Sequence, residues 1–245
     1  MNPYETRRYL NEYLLFHYGK PRDLSPFGVL PSKLLRFHER IRKECLLSQR
    51  RKGKRTIRAL DIGCAVGRFT FELARVVDEV IGIDNAASFI RAARALATKG
   101  SAAIQILESG DDFRSAQVRL PEGTLRGRVR FYVGDAQRLN SLVEGPFDIV
   151  AAINLLCRLP RPSAFLEQLP RLVKPGGQLV ISSPFSWLPE HTPRCEWLSA
   201  DELKGFLRPW FRLARTCDLP FVIREHRRKY QLVVAQVLTF VRKRG

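Results

Sequence analysis

A strand that ends in an acid, followed by a glycine turn and a helix, constrains this chain most. The stretch is Ala59-Leu60-Asp61-Ile62-Gly63-Cys64-Ala65-Val66-Gly67-Arg68. Its apolar run reads as a buried strand. A helix is expected from Arg68 to Val77. A second strand, Glu79-Val80-Ile81-Gly82-Ile83, ends at Asp84, 23 residues after Asp61. Strand, glycine turn, helix, strand and terminal acid make half of a nucleotide-binding α/β unit. Glycine lets backbone approach a ligand because no Cβ intervenes. Asp84 is placed to accept from two ribose hydroxyls.

The turn itself decides between nucleotides. A dinucleotide site uses G-x-G-x-x-G, with a helix N-terminus facing a pyrophosphate. Here the order is Asp61-x-Gly63-x-x-x-Gly67. The middle glycine is absent, and the acid at the strand end would repel a pyrophosphate. The same acid suits a ligand that carries an ammonium and a sulfonium, as S-adenosylmethionine does. The pattern D-x-G-x-x-x-G resembles the first motif of the class I methyltransferases.

The rest of the chain reads as repeated βα units ending in a hairpin. Asn2-Pro3-Tyr4-Glu5 has the form of a helix start, with Asn as cap and Pro at the first helical position. That helix should reach Tyr18 and stop at Gly19. A second helix is expected over about Ser32 to Leu47. After Asp84 come a helix over Ala86 to Thr98 and an irregular segment, 100–128, with the pattern of an inserted hairpin. Strands are expected over 129–133, 147–152 and 178–182, the last preceded by Lys174-Pro175-Gly176-Gly177. A helix from about Pro162 to Val173 lies between the latter two. A short helix from Ala200 and strands over 211–217 and 229–241 close the chain. The expected fold class is α/β: Rossmann-like, with a seven-stranded, mostly parallel sheet, helices on both faces and an N-terminal helical lid. Residues 1–56 form the lid and 57–245 the core, with 100–128 inserted.

Length and composition fit one large domain. No apolar run of about 18 residues suggests a membrane span, and no apolar leader follows Met1. Five cysteines without a CxxC pair point to free thiols in a reducing, cytoplasmic compartment. Four scattered histidines give no metal pattern. A net charge of +18 raises nucleic acid as a partner. The one dense basic run, Arg50 to Arg55, has no interleaved aromatics, so it reads as a solvated linker.

Ligands bind at the carboxyl ends of strands in open α/β sheets. Asp61, Asp84, Asp135 and Asn154 all fall there. The class I resemblance implies cofactor contacts at Asp61, Gly63, Cys64, Ala65, Gly67, Arg68, Asp84, Asn85, Asp135, Ala136 and Asn154. Asp135 would accept from the adenine amino group. Asn154 would face both cofactor and acceptor, and is the candidate catalytic residue. Methyl transfer to a nitrogen is largely alignment of nucleophile, methyl and sulfur. The nucleophile must present a free lone pair, which calls for an acceptor that holds its tautomer.

Several stretches resemble one family, the 5-thiohistidine N-methyltransferases of ovothiol biosynthesis. They are Asn2-Pro3-Tyr4-Glu5, Glu12-Tyr13-Leu14-Leu15-Phe16-His17-Tyr18-Gly19, the Ala59–Arg68 turn and Asp78-Glu79-Val80-Ile81-Gly82-Ile83-Asp84. Further on they are Ser183-Pro184-Phe185-Ser186-Trp187-Leu188, Thr192-Pro193-Arg194 with Glu196-Trp197-Leu198, and Leu219-Pro220-Phe221-Val222-Ile223-Arg224-Glu225. The resemblance implies transfer of a methyl group from S-adenosylmethionine to an imidazole nitrogen of 5-thiohistidine, giving ovothiol A. The chain lacks the length and the histidine-rich iron site of the sulfoxide synthase that accompanies this activity. It is therefore a stand-alone enzyme or one cut from a fusion. Candidate substrate contacts are Tyr4, Tyr13 and His17 from the lid, Arg158 as an anion partner, and Arg224 with Glu225 for the carboxylate and ammonium. The alternatives are an RNA or protein N-methyltransferase, suggested by charge, and a catalytically silent scaffold. The intact Asp61, Gly63, Gly67, Asp84 and Asp135 set argues against the scaffold.

Overall fold

Strand β1 (Arg58–Ile62) shows why the chain folds as it does. Leu60 and Ile62 project into one apolar cluster and Ala59 into another, on opposite faces of the sheet. That two-sided burial is what a parallel strand with helices on both faces requires. The computed structural model describes residues 3–48 and 55–244. Its other strands are β2 (Glu79–Asp84), β3 (Ser101–Ser109), β4 (Asp112–Arg119), β5 (Val129–Val133), β6 (Phe147–Ile153), β7 (Val173–Ser183), β8 (Phe211–His226) and β9 (Lys229–Arg242). Seven of them form one sheet in the order β5-β2-β1-β6-β7-β9-β8. The first five run parallel, and β9 lies antiparallel between β7 and β8. Strand order reverses between β1 and β6, so the crevice for a ligand opens there.

Helices cover both faces. On the face of Ala59 lie α1 (Arg7–Tyr18), α2 (Pro21–Leu24), α3 (Phe37–Arg40), α4 (Arg68–Leu73) and α5 (Ala87–Lys99). The opposite face carries α6 (Pro162–Leu172) and α7 (Ala200–Leu207). Helix α4 is one turn shorter than the sequence suggests. The expected long helix over Ser32 to Leu47 is broken: a 3-10 turn (Ser32–Leu35), α3 and a π turn (Ile41–Cys45) take its place. The break falls at Arg36, whose φ of −126° and ψ of 38° are not helical. Asn2, read as a helix cap, lies outside the described residues, as do residues 50–54 of the basic run. Within the described chain, Thr6 caps α1, its side chain accepting from the Tyr9 N–H. Arg55 pairs with Asp148 at 2.6 Å.

Two additions shape the ligand side. Pairing of β7 with β9 ends at Ser183–Gln236, while β8 and β9 continue together to His226–Lys229. The β8–β9 ribbon therefore overhangs the carboxyl end of the sheet. Strands β3 and β4 form a separate hairpin. It braces the lid and the ribbon: the Gln105 N–H donates to Asn11 Oδ1 on α1 at 3.1 Å, and Glu108 pairs with Arg224 on β8.

The N-terminal segment is fastened to the nucleotide-binding elements. Glu5 accepts from the N–H groups of Ala87 and Ser88, the first turn of α5. Ala86, the N-cap of α5, makes no side-chain cap of its own, so Glu5 supplies it from a distance. At the other end of α1, the Tyr18 hydroxyl donates to the Val66 carbonyl at 2.8 Å. Among the described residues no helix is long and apolar enough to cross a membrane.

Candidate functional site

At the strand-order reversal lies a cavity of about 310 Å³, within the size range of small-molecule sites. One half is the carboxyl edge of the sheet. Asp61, Gly63, Cys64, Ala65, Asp84, Asn85, Asp135, Ala136 and Asn154 all line it. Gly63 has φ +71°, and a Cβ there would come within 2.8 Å of Leu155. Gly67 stands behind the cavity. Its φ is +85°, it caps α4, and a Cβ would meet Phe131 at 2.7 Å. The turn keeps its glycines for shape.

Asp84 organises this half. Its Oδ2 accepts from the Ala65 N–H and its Oδ1 from the Ala86 N–H, each at 2.9 Å. Each oxygen keeps lone-pair capacity for a further donor. Burial raises its pKa, while those backbone bonds pull it down. Asp61 is more deeply set. Its Oδ2 accepts from Thr70 Oγ1 at 2.6 Å, and among the described residues its buried Oδ1 has no partner. Burial pushes its pKa up to about 7, opposed by Thr70 and reinforced by Asp84. Asp135 accepts from the Gln137 N–H through Oδ1, which leaves Oδ2 open. Asn154 adopts φ +53°, a conformation Asn tolerates. Its Oδ1 accepts from Ser182 Oγ at 2.8 Å, which leaves Nδ2 as its free donor.

The second half is an aromatic chamber. Tyr4, Tyr13, Phe16 and His17 come from the lid, and His38 from α3. Phe221 and Ile223 of β8 face it beside their paired residues Val233 and Gln231 of β9. Arg158 enters from the loop after β6, where its guanidinium donates to the carbonyls of Cys157 and Ser186, both at 2.9 Å. The Tyr4 ring meets Tyr13 edge-on, centroids 5.9 Å apart. Burial raises the pKa of both tyrosines, and the Arg158 guanidinium pulls that of Tyr4 down against its burial. The Arg158 loop is held in place by Thr192, which donates to the Leu159 carbonyl at 2.7 Å.

Besides Gly67, three sequence-predicted residues do not line this cavity. Arg68 turns away and pairs with buried Glu72 at 2.8 Å, a partner four residues on along α4. Arg224 is 3% exposed and committed to the hairpin: it donates to Glu108 at 3.0 Å and to the carbonyls of Asp23 and Leu107. Glu225 pairs with Lys229 and Gln231. The assignment of Arg224 and Glu225 to a substrate is therefore corrected: both are occupied by protein partners outside the cavity. Strand alternation was the available signal. Phe221 and Ile223 share one face, and Arg224 lies on the other. His38 gave no comparable signal in the sequence.

Comparison with known proteins agrees with this geometry. Residues 60–181 match the methyltransferase domain family model. The chain carries a class I S-adenosylmethionine-dependent methyltransferase domain. A ubiquinone biosynthesis O-methyltransferase of Xanthomonas euvesicatoria pv. vesicatoria is 29% identical over 126 residues, 51% of this chain and 42% of that relative. The chain thus matches about two-fifths of such relatives' length. Among solved structures, the magnesium protoporphyrin IX methyltransferase of Synechocystis PCC 6803 with bound S-adenosylhomocysteine superposes with a TM-score of 0.55. It is 18% identical, with 86% of each chain covered. The N-methyltransferase NodS of Bradyrhizobium japonicum WM9 gives a TM-score of 0.52 at 16% identity, covering 77% of this chain and 87% of that one. These likenesses concern the fold.

The cofactor of the methyltransferase is S-adenosylmethionine, and its cavity fits that ligand. A buried carboxylate oxygen without a partner at Asp61 suits an ammonium. The paired oxygens of Asp84 suit vicinal hydroxyls. Gly63 lets the backbone itself face the ligand, where a side chain would collide with Leu155. Among the described residues no cluster of three or more His, Cys, Asp or Glu could hold a metal.

Proposed function

We propose that this methyltransferase transfers a methyl group to an imidazole nitrogen of 5-thiohistidine, giving ovothiol A. One observation carries the reading. The stretches that resemble the thiohistidine N-methyltransferases, outside the nucleotide-binding motifs, supply most walls of the aromatic chamber. Tyr4 comes from the first stretch, Tyr13, Phe16 and His17 from the second, Pro184 and Ser186 from the loop after β7, and Phe221 and Ile223 from β8. The general methyltransferase match, 60–181, includes none of these residues.

The roles follow from chemistry. S-adenosylmethionine supplies an activated methyl on a sulfonium, so the protein mainly aligns the reactants. Asp84 takes the ribose hydroxyls, Asp61 the ammonium and Asp135 the adenine amino group. Asn154 lies between cofactor and acceptor, with Nδ2 free to donate. Arg158 pairs with the carboxylate of the amino-acid substrate, and the Tyr4 hydroxyl receives its ammonium. A thiolate is intrinsically the softer, better nucleophile than an imidazole nitrogen. Methylation at nitrogen therefore depends on how the chamber orients the ring. On this reading the substrate comes from a sulfoxide synthase, present as a partner or as a fused domain.

A second reading, O-methylation, is favoured by the likeness to ubiquinone biosynthesis O-methyltransferases, and the aromatic walls would suit a phenol as acceptor. The two separate in one experiment. The protein is incubated with methyl-labelled cofactor and, in parallel, with 5-thiohistidine, a catechol and bulk RNA. Label in 5-thiohistidine supports the proposal. Label only in the catechol or RNA overturns it. Tight cofactor binding by calorimetry with no labelled product marks a scaffold and also overturns it.

A further inference from the structure

We infer that His17 and His38 form an imidazole pair that accepts the ring N–H of the acceptor substrate. The pair thereby selects which ring nitrogen receives the methyl group. The inference rests on the N-methylation proposed above.

His17 on α1 and His38 on α3 meet in the chamber wall with ring centroids 4.3 Å apart. Both line the cavity. Aromatic neighbours hold them: Phe16 lies 5.1 Å from the His17 ring and 5.4 Å from the His38 ring, and Tyr13 lies 5.8 Å from His17. Among the described residues neither imidazole hydrogen-bonds to a protein group, and His17 Nδ1 is buried without any partner. An unsatisfied buried polar atom is costly. A core position that only needed an aromatic ring would be better filled by Phe. Two adjacent imidazoles beside a ligand cavity have a use in hydrogen bonding to what enters it.

Their charge state fits an acceptor. Burial, with Arg68 adding to it, lowers the pKa of His17 to about 3. Burial, then His17 and Arg68, holds His38 well below the usual range. At neutral pH each ring is uncharged and offers one acceptor nitrogen. A neutral thiohistidine ring has one N–H and one nitrogen with an in-plane lone pair. Only the latter can attack. Its lone pair forms the N–C bond while the methyl–sulfur bond breaks and that electron pair stays on sulfur. The cationic ring then releases its N–H proton to solvent. Anchoring the N–H on the histidine pair fixes the tautomer and aims the other nitrogen at the methyl. His17 and His38 are positioning residues; with pKa values so low they do not take the proton.

The test compares His17→Phe, His38→Phe and His17→Gln with the wild type on 5-thiohistidine. Product isomers are resolved by NMR, and KM, kcat and cofactor Kd are measured. Phe keeps the ring packing and removes the nitrogens. His17→Phe should raise KM about tenfold, the worth of one good hydrogen bond. It should turn a single N-methyl isomer into a mixture while leaving cofactor Kd within twofold. Gln, whose Oε1 can accept, should recover part of both effects. His38→Phe should act in the same direction. A structural role alone would lower stability and leave the isomer ratio unchanged. In the wild type bound to S-adenosylhomocysteine, 5-thiohistidine should also shift the His17 imidazole ¹⁵N resonances, a readout independent of any variant. A single isomer and KM within twofold in both Phe variants, or unmoved ¹⁵N resonances, overturns the inference while wild-type N-methylation still stands. Wild-type methylation of other acceptors only sinks the functional proposal and this inference with it.

Discussion

Asp84→Ala separates the cofactor cradle from the rest of the fold. The carboxylate accepts the Ala65 N–H on Oδ2 and the Ala86 N–H on Oδ1, each at 2.9 Å. Two ribose hydroxyls would take the remaining capacity. Hydrogen bonds to a charged group contribute about 1.5–3 kcal/mol each. Losing two at the lower figure costs about 3 kcal/mol, roughly a hundredfold in Kd. The turn suffers as well. Ala65 sits at φ +48°, strained for a side-chain-bearing residue, and its N–H loses its anchor. Removing a half-buried carboxylate also relieves its partial desolvation, so the net stability loss should be small, about 1 kcal/mol. Asp84→Asn should rescue little, because its NH₂ would face a backbone N–H. Isothermal calorimetry with S-adenosylmethionine, alongside circular dichroism, reads both effects. A folded Asp84→Ala protein that binds within threefold of wild type would refute this account of the cradle.

Gly63→Val should abolish cofactor binding in a folded protein, since φ +71° and the 2.8 Å approach to Leu155 leave no room for a side chain; normal binding by calorimetry would contradict it. Arg224→Ala breaks the buried pair with Glu108, which keeps Arg114 at 3.1 Å, so urea denaturation should show a loss of about 3 kcal/mol with KM unchanged. A raised KM at unaltered stability would return Arg224 to the substrate. His17 has a folded pKa of about 3 against 6.5 unfolded. The native state therefore binds fewer protons between those values, and stability falls as pH drops through 6.5. His17→Phe should lessen the loss between pH 7.5 and pH 5.5 by about 1.4 kcal/mol; an identical pH dependence of urea midpoints in the two proteins would contradict the buried, neutral state.

The sheet and the polar residues at its carboxyl edge were legible because both are local. Two-sided apolar runs mark buried strands, and an acid at such a strand's end lies at the ligand crevice wherever the strand sits in the sheet. Arg224 was misread because its partner, Glu108, lies 116 residues away in an inserted hairpin. Nothing near Arg224 in sequence announces that pair. Arg68 did carry a local sign, Glu72 four residues on, which favoured an ion pair along α4. The long helix over Ser32 to Leu47 failed because apolar spacing does not report the break at Arg36. The chamber was legible only in part. Tyr4, Tyr13 and His17 came from the resemblance, whereas His38, Val233 and Gln231 reach the cavity through tertiary packing and the overhang of the β8–β9 ribbon.

The most direct test uses cofactor carrying a ¹³C-labelled methyl group, 5-thiohistidine and the wild-type protein, with the product read by ¹H–¹³C NMR. The account predicts one new N–CH₃ resonance on the imidazole ring, in a single isomer, growing with turnover. An S–CH₃ product, or no transfer to 5-thiohistidine while a catechol or RNA is methylated under the same conditions, would contradict it.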